Sequence, residues 1–250
     1  MTDAIKIDVW SDIACPWCYI GKRNLEKGLA ATAADDDAPR VEVEYHSYEL
    51  SPDTPVDFEG DEVEFLATHK GVPAEQARQM LDRVTGVAAE AGLEYRFDIL
   101  QHTNTVKAHE LLHFAKSHGR QLELAERLMS AYFTEGRHVG RVDDLVALAG
   151  EVGLDEDAAR DALEKETFLD AVRHDKAQAA AYGINGVPFF VIDEQHGVSG
   201  AQPTDFFLSA LQQLGPQKPK LKMVEVAGGG DASADDAACG PDGCEVPAAR

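Results

Sequence analysis

From Ile5 to Trp10 apolar and polar residues alternate (Ile-Lys-Ile-Asp-Val-Trp), the two-residue period of a half-buried strand. Val41 to His46 repeats that period. Between the two, Ile20 to Ala31 reads as a helix. The small, acidic stretch from Ala30 to Pro39, with Asp35, Asp36 and Asp37 in a row, marks a loop. Strand, helix and strand in this order predict a βαβ unit with parallel strands. After Pro52-Asp53-Thr54-Pro55 the period becomes helical and stays so as far as Tyr182. Ala77, Met80, Leu81, Val84 and Ala88 share one face, behind a Gly71 stop and a Pro73 at a first helical position. Ala108, Leu111, Leu112 and Ala115 share another behind an Asn104 cap, and Ala125, Leu128, Met129 and Tyr132 continue the pattern. Leu145, Leu148, Ala149 and Val152 form the next stripe, and a last helix from Thr167 to Tyr182 stops at Gly183.

Strand character returns in Pro188 to Ile192, with a hairpin partner at Gly197 to Gly200 and a helix from Thr204 to Leu214. Neither outer part has enough strands to stand alone, so the two are expected to share one sheet. The predicted fold class is α/β: a βαβ unit, an inserted all-helical domain, then ββα. The expected boundaries are 1–55, 56–170 and 171–216. Residues 217–250, with a Gly228-Gly229-Gly230 run and many Ala and Asp, read as a flexible acidic tail.

Charge narrows the partners. The 45 Asp and Glu outweigh 23 Lys and Arg, a formal net charge of -22. That balance argues against nucleic acid and anionic membrane surfaces, both of which are polyanions. The acids are scattered over many segments, as on a halophilic surface adapted to concentrated salt, where screening removes much of the self-repulsion. No apolar run approaches the roughly 20 residues of a membrane span. The first residues lack the three-part pattern of a signal peptide, so a cytoplasmic setting is expected.

The four cysteines come as two close pairs, Cys15/Cys18 and Cys239/Cys244. Paired cysteines in a reducing compartment point to redox turnover or metal binding rather than to structural disulfides. Cys15-Pro16-Trp17-Cys18 lies between the first strand and a helix. Backbone N–H groups at a helix start favour a thiolate, and two intervening residues bring the second sulfur within reach of the first. Pro16 suits the first turn, where its missing N–H costs nothing. Cys15 is then expected to be the exposed nucleophile and Cys18, one turn in, the buried resolving thiol. Four thiolates gathering zinc, or an inert buried pair, are the competing readings.

Gly186-Val187-Pro188-Phe189 carries a proline just before a strand, which is either an ordinary junction or a cis Val187–Pro188 bond laid against the Cys pair with the Val187 backbone open to a substrate chain. Cys239-Gly240-Pro241-Asp242-Gly243-Cys244 has turn residues between its cysteines, so a local disulfide is easy there; it is either an auxiliary redox pair or an incidental one. His102, His109 and His113 lack a His-Glu-x-x-His pattern and are expected to be solvated or capping, with no metal site. Lys22 and Arg23 read as surface charges, and Trp10 and Trp17 as side chains packed around the Cys pair, Trp17 forming a platform for substrates.

The segment Ser11-Asp12-Ile13-Ala14-Cys15-Pro16-Trp17-Cys18-Tyr19-Ile20-Gly21-Lys22 resembles the active-site segment of DsbA-family thioredoxin-fold proteins of the FrnE-like branch. Asn104 to Leu111, Gly186 to Phe190 and Ser199 to Pro203 are similar to other segments of that branch, over about residues 4–215. The resemblance implies a thioredoxin fold with a helical insertion, a Cys15 nucleophile, a Cys18 resolver and a cis Pro188 beside them. It further implies a protein disulfide oxidoreductase whose redox-active disulfide replaces any cofactor, acting on protein or small-molecule thiols and disulfides through Pro16, Trp17, Val187 and Pro188. Some proteins of the branch carry a further C-terminal cysteine pair, which favours an auxiliary redox role for Cys239 and Cys244. The branch is also similar to 2-hydroxychromene-2-carboxylate isomerases and kappa-class glutathione transferases, which carry serine where this chain has Cys15. A small-thiol-dependent isomerase or transferase is therefore the alternative function.

Overall fold

The computed structural model describes residues 4–33 and 39–214. The expected tail and the Cys239/Cys244 pair lie outside them, and so does the zinc reading that needs that pair. Strand β1 (Ile5–Ser11), helix α1 (Pro16–Thr32) and strand β2 (Val41–Ser47) come first. Seven helices follow among the described residues: α2 (Glu62–Lys70), α3 (Ala74–Glu90), α4 (Val106–Ser117), α5 (Gln121–Phe133), α6 (Val142–Glu151), α7 (Glu156–Glu164) and α8 (Leu169–Ala181). Strands β3 (Phe189–Ile192) and β4 (His196–Ser199) and helix α9 (Thr204–Leu214) close the fold. No helix among the described residues is long and apolar enough to cross a membrane.

The outer strands form one sheet in the order β2-β1-β3-β4. β1 runs parallel to β2, with Ile5 opposite Val41, and antiparallel to β3, with Val9 opposite Phe190. This βαβ–helical–ββα arrangement is the thioredoxin fold with a helical insertion. β1 is central rather than half-buried, because helices cover both its faces. Ile5, Ile7 and Val9 pack with Leu25 of α1, Phe190 and Ile192 of β3, and Phe207 and Leu211 of α9. Trp10 packs with Ala179 of α8, Ile184 and Val191 on the other side. Gly28 lets α1 and α9 touch, since a Cβ there would lie 2.8 Å from Cβ of Phe207.

The helices between β2 and β3 enclose the largest apolar cluster, in which Leu111, Leu124, Leu128, Leu145 and Leu148 are fully buried. That cluster reaches the start of α1 through Ile13, Cys15, Cys18, Tyr19 and Ile20. The Cys pair therefore sits where the sheet and the helical segment meet. Helices α2 and α7 had no counterpart in the hydrophobic pattern. α2 buries only Glu62 of its own residues and is held instead by a capping box between Asp61 and Glu64, ending on the left-handed Gly71. Pro73 is the cap of α3 rather than its first helical residue. Thr105 is likewise the cap position of α4, while the Asn104 side chain bonds the Val106 N–H at 2.9 Å.

Candidate active site

Cys15 occupies the cap position of α1 in extended conformation, with Pro16 following. Its carbonyl accepts the N–H of Cys18 at 3.0 Å, and its own N–H bonds the Asp12 carbonyl at 3.2 Å. No side chain caps this helix; Pro16 has no N–H and the Cys18 and Tyr19 N–H groups bond the Cys15 carbonyl, so the helix start favours an anion beside Cys15 through its dipole. Both cysteines are free thiols. The expectation of an exposed Cys15 is corrected: Cys15 is 3 % exposed and Cys18 2 %. Cys15 is covered because the Val187–Pro188 segment lies over it, the Sγ–H donating to the Val187 carbonyl at 3.7 Å. That carbonyl is thus engaged by Cys15 rather than left open to a substrate chain. The Val187–Pro188 peptide bond is cis, and Pro188 packs on Gly21, where an added Cβ would approach Pro188 Cγ to 2.9 Å.

Beside Cys15 lies a cavity of about 250 Å³ with Pro16, Trp17, Phe65, Leu66, Met80 and Leu81 among its walls and His69 and Lys70 also lining it. Trp17, Leu50 and Met80 are the exposed large apolar side chains of its lining. Trp17 lines this cavity, whereas Trp10 does not. Trp10 is buried on the opposite face of the sheet, stacked on His46 at 4.5 Å with its indole N–H on the Asp175 carbonyl at 3.1 Å.

The loop before the cysteines is fixed by Asp12, a buried carboxylate. It accepts from Leu50 N–H and the Thr105 hydroxyl, both at 2.8 Å, from Ala14 N–H at 3.3 Å, and meets His109 Nε2 at 3.4 Å. Burial alone would raise its pKa; His109 and the other donors outweigh it and hold the carboxyl below the ordinary range. On Cys18 burial wins, joined by the Cys15 sulfur, and the thiol is pushed well up.

Charges read as solvated are built into the interior. Lys22 is 3 % exposed, held between Glu26 and Glu126, with Nζ 2.6 Å from the latter. The Tyr19 hydroxyl also donates to Glu126 at 2.7 Å and Arg23 joins it, so the second turn of α1 is tied to α5. The three histidines are buried as well, each against a carboxylate from another element: His102 with Glu62 at 2.9 Å, His109 with Asp12, and His113 with Asp175 at 3.0 Å. Sequence reasoning missed these carboxylates because each lies tens of residues from its partner. Asp8, Glu44 and His46 bring one ligand atom each within 4.8 Å of one another, but Lys6 and Lys116 already pair with the two carboxylates.

Residues 6–212 match the model of the DSBA-like thioredoxin domain. A probable DsbA oxidoreductase from Streptomyces coelicolor, solved as a crystal structure, is 41 % identical, with a TM-score of 0.77 over 98 % of this chain and 100 % of that one. The uncharacterized protein YwbO of Bacillus subtilis (strain 168) is 32 % identical over 83 % of this chain and 96 % of its own. The cytosolic disulfide reductase DsbM from Pseudomonas aeruginosa shares the fold at 18 % identity, with a TM-score of 0.61 over 83 % of this chain and 97 % of that one. A family match along almost the whole described chain, and a relative 32 % identical over 83 % of the chain, lead to one conclusion: the chain belongs to the DSBA-like thioredoxin domain family.

Proposed function

We propose that Cys15 and Cys18 form the redox-active pair of a protein disulfide oxidoreductase, with Cys15 as the attacking thiolate. The observation that carries this reading is the pair itself: two free thiols on one helical turn, the first at an uncapped helix start beside a cavity and the second enclosed behind it. A Cys15 thiolate attacks one sulfur of a substrate disulfide, and the other sulfur leaves as a thiolate. Cys18 then attacks the Cys15 sulfur of the mixed disulfide, releasing the second substrate thiolate and closing the Cys15–Cys18 bond. The reverse sequence oxidises a substrate dithiol. No organic cofactor enters either direction. Pro16, Trp17, Val187 and Pro188 are the proposed substrate-contacting residues, and Cys239 and Cys244 an auxiliary pair that exchanges electrons with the first.

The test is dithiol-driven reduction of a protein disulfide in concentrated salt by wild type, Cys15→Ser and Cys18→Ser. The expected result is loss of turnover in both variants, with Cys18→Ser accumulating a mixed disulfide on Cys15. The cavity beside Cys15 favours a second reading, in which a small thiol binds there and supports isomerisation or transfer. On that reading Cys18→Ser keeps its activity, and a wild type without disulfide turnover would replace the first reading by the second.

A further inference from the structure

Tyr95 is buried in the connection between α3 and α4. The end of α5 holds it in place. Arg96, the next residue, gives its N–H to the Phe133 carbonyl at 2.7 Å, and the Tyr95 ring stacks on Phe133 at 4.7 Å. From there the Tyr95 hydroxyl reaches into the cysteine motif and donates to the Pro16 carbonyl at 2.6 Å. That carbonyl belongs to the same peptide group as the Trp17 N–H. Of the first helical amides, Pro16 has no N–H, and those of Cys18 and Tyr19 bond the Cys15 carbonyl. The Trp17 N–H is left without an acceptor among the described residues. Trp17 is the second helical residue, and a cap side chain accepts the N–H of the second or third; the cap position here is Cys15. As a thiol, Cys15 donates to the Val187 carbonyl instead. Once ionised it has no proton to give and becomes an acceptor.

We propose that Tyr95 is a positioning residue of the site: through the Pro16 carbonyl its hydroxyl polarises the Pro16–Trp17 peptide and strengthens the Trp17 N–H as the donor that meets a Cys15 thiolate. The use of that thiolate as nucleophile rests on the dithiol reading above. Hydrogen bonds in a chain polarise one another, and a donor pulling on the carbonyl oxygen leaves the N–H of the same peptide more positive. Tyr95 thereby connects the helical segment to the reactivity of the first cysteine without touching its sulfur. Burial pushes the Tyr95 hydroxyl far up, with the Cys15 sulfur acting in the same direction, so Tyr95 stays a neutral O–H donor while Cys15 titrates. The ionisable groups around Cys15 are Cys18, Asp12 in the loop before it and, across the cavity, Glu62, His69 and Lys70 of α2 with His102. The Val187–Pro188 segment over it carries none. Exchanging Tyr95 for phenylalanine alters none of these groups.

The test uses the chain with Cys18→Ser, Cys239→Ser and Cys244→Ser, in which Cys15 is the one thiol, and follows its alkylation by iodoacetamide against pH. A bond at one end of a peptide group strengthens the bond at the other by about 10–30 %, and a thiolate acceptor makes that second bond a charge-assisted one. Tyr95→Phe should therefore move the midpoint up by about 0.3 pH unit, a twofold loss of thiolate below it. 3-Fluorotyrosine placed at position 95 keeps the ring and the bond but is the stronger acid and donor, so it should move the midpoint down. It also decides the matter should phenylalanine prevent folding. Tyr19→Phe deletes a hydroxyl from the same aromatic cluster, one that meets Glu126 rather than the cysteine motif, and should leave the midpoint in place. A hydroxyl that only ties the fold together would lower stability without moving the midpoint. A shift under about 0.1 pH unit in Tyr95→Phe, no downward shift with 3-fluorotyrosine, or an equal shift in Tyr19→Phe overturns the proposal. Absence of disulfide turnover in the wild type would overturn the dithiol reading, while the titration of Cys15 alone still decides the role of Tyr95.

Discussion

Replacing Asp12 by alanine should destabilise the protein more than any other single change in the loop before Cys15. The carboxylate is 2 % exposed and gathers donors from three separate stretches: Ala14 in its own loop, Leu50 after β2, and Thr105 and His109 at the start of α4. His109 has no partner on Nδ1, so the variant would leave the whole ring unsatisfied in the interior. Hydrogen bonds to a charged acceptor contribute about 1.5–3 kcal/mol each, but the four share one carboxylate and are not additive. The relevant figure is the cost of removing one member of a buried charged network, about 3–5 kcal/mol. For a chain of this length that lowers the thermal midpoint by roughly 10 °C. Thermal and urea unfolding in concentrated salt, followed by circular dichroism, measures it. Asp98→Ala is the control: Arg96 lowers the Asp98 carboxyl too, yet this pair is fully exposed and its loss should leave the midpoint in place. Because the Asp12 pKa is depressed in the fold, its contribution is present above the unfolded value near 3.9 and disappears as pH falls through the folded one. Wild type and Asp12→Ala should therefore converge below about pH 4 and stay apart above it. A loss under about 1 kcal/mol at neutral pH would show that Asp12 does not anchor the loop, and the positional argument for Cys15 would fall with it.

The remaining expectations concern separate parts of the fold. Gly21→Ala should cost about 1–3 kcal/mol in urea unfolding, because its Cβ would press on Pro188 and on Phe190 at 3.3 Å. Gly86→Ala, with nothing within 4 Å, should be neutral or stabilising. Trp17→Ala removes a side chain that is 40 % exposed, so it should change stability by under about 0.5 kcal/mol while raising KM for a protein disulfide several-fold. Burial would lower the pKa of His46, but Asp175 and Asp8 raise it overall. Its stabilising contribution is then complete below the unfolded value near 6.5 and lost as pH rises through the folded one. The stability gap between wild type and His46→Gln should shrink as urea unfolding is repeated at rising pH, and a constant gap would refute the assignment.

The dithiol was legible in the sequence and its surroundings were not, for one physical reason. A strand period, a helix face and two cysteines on one turn are local properties that neighbouring residues determine. That is why β1, β2, α1, α9 and the order of parts could be read from pattern. α2 escaped because it has no apolar stripe, although Asp61-x-x-Glu64 is a local start signal that a search for capping boxes would have found. α7 escaped likewise: its buried residues are Ala159, Ala162 and Leu163, and its clearest mark is the Asp155 cap. The burial of Cys15 depends on Val187, 172 positions away, the Lys22 ion pair on Glu126, 104 away, and the Asp12 anchor on Thr105, 93 away. No residue in the cysteine motif specifies those partners. Their charges look solvated in a list of residue types, since Lys, Asp and His are usually outside. They are inside here because the helical segment closes over the start of α1 and brings counter-charges with it. The motif thus supplies the proposed nucleophile, while Asp12, Gly21 and Val187 shape its surroundings. Tuning should accordingly come from substitutions outside Cys15-Pro16-Trp17-Cys18 as much as from within it.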